Sequence, residues 1–185
     1  MVSLKCLTYP LQMPFTLNST STGEVFVSTY KAIIESRTVP TTQFQLSHPF
    51  HAFWKEHIKA LTRPGLYDNV IDALVALAEG DPSWRRKAVS NTIVKKRGTI
   101  RELLRSNPPN LVVVSGVDAY SFHLREKSFW PFIYISEEYV NLWTDADRSS
   151  EQGLALTALL GAAIDHEIGH WVFTLVRFHT CHLRL

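Results

Sequence analysis

The chain has 185 residues, of which 45% are hydrophobic and 19% charged, with a formal net charge of +2. That length suits one domain with a real core, and the composition excludes an intrinsically disordered chain. The small net charge gives no electrostatic reason to expect a nucleic-acid or membrane partner, and two cysteines, Cys6 and Cys181, exclude a disulfide-dense scaffold, although they could pair with each other.

Residues 1–20 read as an irregular N-terminal segment, and residues 21–185 as a single domain. The segment "MVSLKCLTYPLQMPFTLNSTSTGE" has one lysine, two prolines and no uninterrupted apolar run. It is a poor signal peptide, so an intracellular, cytoplasmic protein is expected and the Asn18-Ser19-Thr20 sequon is incidental. From Ser21 the apolar residues Val25 or Phe26, Tyr30, Ile33 and Ile34 recur at helical spacing, and Thr38-Val39-Pro40 ends the run. A second helix is expected from Pro49 to Leu61, with Phe50, Phe53, Trp54, Ile58 and Leu61 on one side and Arg63-Pro64-Gly65 as its stop. A third runs from about Leu66 to Ala78, closed by Gly80-Asp81-Pro82.

Residues 83–106 read as one long helix or two short ones with a break at Gly98, and Asn107-Pro108-Pro109-Asn110 stops them. The pattern then changes. "LVVVSGV" at 111–117 is short and β-branched, hence a strand. "FWPFIYIS" at 129–136 is a second strand, which Pro131 either places at an edge or delays to Phe132. "SEEYVNLW" opens with a serine and two acids, a good helix start. Ser150 to about Val176 reads as one long helix, apolar nearly all round over Leu154–Ile164 and therefore buried, yet too short in its apolar run to span a membrane. The outline is α+β: an α-rich single domain with a small sheet, and an edge strand preceding a buried last helix.

That helix carries His166-Glu167-Ile168-Gly169-His170. Residues four apart share a helix face, so two imidazole nitrogens can meet one ion. Glu167 flanks that ion without ligating it and can take a proton from a water the ion has acidified. Polar members of so apolar a helix are costly to bury without partners, and a metal supplies them.

"FIYISEEYVNLW", a polar interval, then "LALTALLGAAIDHEIGHWVF" resembles the core of a zincin metallopeptidase, closest in style to gluzincins of the membrane-protease and regulatory-peptidase kinds. The resemblance covers about residues 130–175. It implies a zincin-like fold, a Zn2+ cofactor, His166 and His170 as metal ligands, and Glu167 as general base of a hydrolase acting on a peptide or protein substrate. It also implies that Phe132–Ile135 is the edge strand pairing with an extended substrate, and that Gly169 allows close helix packing. The remainder of the chain carries no such likeness.

The third ligand departs from the pattern. Gluzincins take a glutamate from a downstream helix, and the fifteen residues after His170 contain no Asp or Glu. A metzincin arrangement fails because Phe173 and Val176 occupy the positions it needs. The nearest donors are His179, Cys181 and His182. We expect the chain to turn back after about Val176 and bring His179, or failing that His182, to the metal. His123, Glu137 and Glu138 are alternatives from the sheet region. Tyr134, Tyr120 or His123 could assist as a donor to the oxyanion.

Other features point elsewhere. Arg85, Arg86, Lys87, Lys95, Lys96, Arg97, Arg101 and Arg105 stand against one acid, Glu102. Without interleaved aromatic residues they read as a solvated helical face, and nucleic-acid binding is not expected. His48, His51 and His57 fit no metal spacing and read as capping and helix-surface residues. No P-loop, dinucleotide fingerprint or serine-hydrolase elbow is present. The competing reading is a non-catalytic binding or regulatory protein on the same scaffold with an incomplete metal site.

Overall fold

The computed structural model describes residues 22–79, 91–124 and 126–179. The expected irregular segment 1–20, Cys6, Arg85, Arg86, Lys87, Cys181 and His182 lie outside them. The short apolar runs form the sheet. Strand β1 (Val25–Thr29), strand β3 (Asn110–Ser115) and strand β5 (Phe132–Ser136) form a parallel core, Val25 opposite Leu111 and Leu111 opposite Ile133. Strand β2 (Thr42–Gln43) closes one edge and strand β4 (Ser121–Phe122) the other, both antiparallel, in the order β2-β1-β3-β5-β4. Parallel strands covered on both faces lose the polar alternation of a half-exposed strand. This is why "LVVV" and "FIYI" are continuous apolar runs.

Among the described residues five α-helices accompany the sheet: α1 (Pro49–Leu61), α2 (Asp68–Glu79), α3 (Asn91–Ser106), α4 (Glu137–Asp145) and α5 (Glu151–His179). One sheet face, with Leu111, Val113, Ile133 and Ile135, packs with Phe50, Trp54, Leu74, Leu104, Ile164 and Trp171 of the helices. The opposite face holds Val112, Val114, Phe132 and Tyr134 with Ile33 and Phe129. The α+β class, the single small sheet and the expected helices at 49–61, 66–78 and 137–143 are all present, and Asn107-Pro108 does stop α3. Among the described residues no helix is long and apolar enough to cross a membrane.

Four expectations are corrected. Residues 25–29 are a strand, followed by a π-helical turn at Lys31–Glu35, where one helix was expected. The run Val-Phe-Val satisfies either period, and pairing with β3 decides it. Gly98 breaks nothing: α3 passes through it, exposed, at a propensity cost of about 1 kcal/mol. The strand Phe132–Ser136 is not an edge. Pro131 precedes it, gives its carbonyl to the Asn110 N–H at 2.7 Å, and needs no ladder bond of its own. Helix α5 is not buried all round: Leu160, Ile164, Ile168, Trp171 and Val172 face the core, whereas Leu154 and Leu159 are 61% and 44% exposed. The apolar run is wider than the stripe the sheet can cover.

The basic face also differs from expectation. Arg97 pairs with Asp72 and, at 3.2 Å, with Asp68; Arg101 pairs with Asp68, and Arg105 with Glu102. The first two guanidiniums are largely buried between α2 and α3 and tie those helices together.

The start of α5 depends on a close approach. Gly153 is buried, its N–H donates to the Ser150 Oγ cap at 3.0 Å, and a Cβ there would lie 2.0 Å from the Asp147 carbonyl oxygen. Helix propensity alone favours Gly153→Ala by about 1 kcal/mol. Collision with backbone outweighs it, and we expect the variant to be destabilised by about 1–3 kcal/mol. A denaturant titration that finds it as stable as the parent contradicts this packing.

Candidate metal centre

The motif sits in the second half of α5. One face of that helix is held by the sheet and the other by α2, so the turn at 166–170 is fixed from both sides. Gly169 lets α2 come close: a Cβ there would meet Leu77 at 3.2 Å and Leu74 at 3.8 Å. His166 is exposed and His170 half-buried. Their Nε2 atoms are 3.1 Å apart, with the rings nearly perpendicular at 88°. A tetrahedral zinc with Zn–N bonds of 2.0–2.1 Å holds two nitrogens about 3.3 Å apart. The pair therefore fits a shared ion with little movement. The exposure of His166 corrects one premise: this histidine does not need a metal to relieve burial.

Glu167 is the buried member, 2% exposed. Ser121 on β4 donates its hydroxyl to Glu167 Oε1 at 2.7 Å. Oε2 is also buried and has no hydrogen-bond partner among the described residues. Burial pushes the Glu167 carboxyl above the usual range, against the smaller opposing effects of the Ser121 hydrogen bond and the nearby His166. A raised folded-state value means that the native state binds this proton more tightly than the unfolded chain does. The stability it contributes is present below the ordinary glutamate range and lost as pH rises through the raised value. We therefore expect metal-free Glu167→Gln to melt higher than the metal-free parent at neutral pH. The difference should vanish in acid, below the ordinary glutamate range. Equal melting temperatures across the pH series would contradict the cost of burying this carboxylate.

Two supports were not expected from sequence. Ser121 gives no signal in "AYSFHL". His57 does: it continues the buried series Phe50, Trp54, Leu61 on α1, and its Nε2 lies 2.8 Å from Asp165 Oδ1, beside the motif. His57 and His51 are buried rather than on the helix surface, and only His48 caps, accepting from the Phe50 N–H through Nδ1 at 3.2 Å. An apolar cavity of about 390 Å³, lined by Val70, Leu74, Leu77, Ala162, His166 and Gly169, runs between α2 and α5 beside the histidine pair.

The other expected residues are not gathered at the pair. The turn after Val176 is absent: α5 continues to His179. On a continuing helix, nine residues place the His179 backbone about 13 Å beyond His170 and on the opposite side. With no Gly or Pro to stop it, the helix simply extends, and this corrects the expected turn after Val176. His123 is engaged by the Phe132 carbonyl at 3.2 Å and by Thr174 Oγ1 at 3.1 Å. Tyr134 points to the opposite sheet face, stacked on Phe122, and burial pushes its phenol upward. Tyr120 is exposed and packs on Tyr139. Glu137 and Glu138 begin α4, and Glu137 opens with Ser115 and Asp118 into a separate cavity. Among the described residues no group of three His, Cys, Asp or Glu side chains is placed to hold one ion.

Fold and site together define an α+β domain whose long last helix presents a His-Glu-x-x-His turn beside a mixed sheet. Comparison of the chain with protein-family models, with curated proteins and with solved structures gives no match.

Proposed function

We propose that this chain is a zincin-type, zinc-dependent metallopeptidase domain. The observation that carries the reading is the convergence of His166 and His170 Nε2 at 3.1 Å, with Glu167 between them in sequence. Zinc held there would acidify a water and share the negative charge that develops on the carbonyl oxygen of a peptide. Glu167 would take the proton of such a water as its oxygen bonds to the carbonyl carbon. The same proton would then pass to the amide nitrogen as the C–N bond breaks, giving an amine and a carboxylic acid that loses its remaining proton to solvent at neutral pH. Among the described residues β4, rather than Phe132–Ile135, is the end strand of the sheet beside the motif, and an extended substrate backbone would pair with it.

A second reading has its own observation. The described residues bring no third donor to the histidine pair, which suits a protein that binds metal or a peptide without cleaving it. Protein purified without a nickel column separates the two. The peptidase reading expects about one zinc per chain, a melting temperature that rises with added zinc, and cleavage of a fluorogenic peptide library that stops on chelation. Zinc retained with no peptide cleaved selects the second reading; a chain that takes up no zinc at all rejects both.

A further inference from the structure

The structure assigns Ser121 as a positioning residue: it holds one oxygen of Glu167 so that the other, Oε2, is the atom that takes the proton. This rests on the metallopeptidase reading above. The two carboxylate oxygens are not equivalent. Oε1 is occupied by the Ser121 hydroxyl at 2.7 Å, while Oε2 is buried, unpartnered among the described residues, and belongs to a side chain 2% exposed. A buried acceptor without a donor is costly, and such a cost persists where function uses the group. A proton-bearing water admitted to the histidine pair would give Oε2 its missing donor once it reached this buried oxygen.

The serine is also placed by topology. On β4, Ser121 stands opposite Ile135, whose side chain belongs to the helix-covered face. Phe122, one residue on, lies opposite Tyr134 and stacks on it at the other face. Alternation along the strand therefore aims one hydroxyl at α5 and no more. The strand bearing this hydroxyl is the sheet edge nearest the motif. A peptide added to that edge would press on the element that holds the base, so substrate docking and base alignment share one strand.

The test uses the full chain and the variants Ser121→Ala, Ser121→Thr, Glu167→Leu and the double variant Ser121→Ala/Glu167→Leu, with zinc chloride and a fluorogenic peptide library as probes. Metal-free melting reads the tether without any activity. Ser121→Ala should lower the melting temperature by about 2–5 °C in the parent and by little in the Glu167→Leu background. On the best library peptide, zinc-loaded Ser121→Ala should lose about 10- to 100-fold in kcat with KM and zinc affinity within about twofold, and Ser121→Thr should restore most of the rate. Additive melting shifts overturn the tether. A tether present while Ser121→Ala cleaves at the parental rate overturns the positioning role. Zinc bound by a parent that cleaves nothing rejects the metallopeptidase reading, and the positioning role with it, whatever the melting cycle shows.

Discussion

His166→Ala should abolish zinc retention, lowering affinity by about 100-fold or more, and with it any peptide cleavage. One imidazole cannot replace the two-point hold of a pair whose nitrogens are already 3.1 Å apart. Glu167→Gln should behave differently: zinc stays, and kcat falls by about 10²- to 10⁴-fold, because the amide keeps the shape and the Ser121 contact but cannot accept the proton. His179→Ala should match the parent in zinc affinity, since α5 carries that residue away from the pair. Competition titration against a chromophoric chelator, with cleavage assayed on the same samples, checks all three. A His179→Ala protein that loses zinc as His166→Ala does would restore His179 as a ligand, and an undiminished Glu167→Gln would remove the assigned base.

The second large effect is on stability. Trp54 is fully buried at the centre of α1, and its indole N–H donates to the Gly23 carbonyl at 2.8 Å. Trp54→Ala removes one of the three tryptophan side chains of the main core and leaves that carbonyl without its donor. The expected cost is about 3–5 kcal/mol, or roughly 10 °C in melting temperature for a domain of this size. Trp54→Phe should lose less, because the ring volume is mostly kept. Calorimetry of the metal-free proteins separates the outcomes, and a Trp54→Ala protein melting within a degree or two of the parent would contradict the packing described.

The link from α1 to the motif passes through His57 and Asp165, 2.8 Å apart. A core residue of one helix thus contacts the position preceding His166. Apart from Gly169, the packing that fixes the turn at 166–170 comes from side chains well separated in sequence from it: Leu74 and Leu77 on α2, His57 on α1, and Ser121 on β4.

Much was legible in the sequence by itself because the signals are local. Proline and glycine punctuation, helical periodicity and β-branched runs mark α1, α2, α4, α5, β3 and β5 to within a few residues. The i, i+4 relation places His166 and His170 on one face before any tertiary contact is known. What only the tertiary structure decided depends on pairing and burial. Val25–Thr29 became a strand because β3 offered a ladder, although its apolar spacing also suits a helix. Phe132–Ser136 became a central strand because β4 closed on its far side, a partner of two residues that no periodicity reveals. The histidines proved accessible and the glutamate buried, because the sheet covers one stripe of α5 and leaves the adjacent one open. The run of α5 to His179, by contrast, has a local cause: no Gly or Pro stops it, and the existing helix continues. A ligand spacing is written in the order of residues, but which face of a helix meets solvent is set by what packs against it.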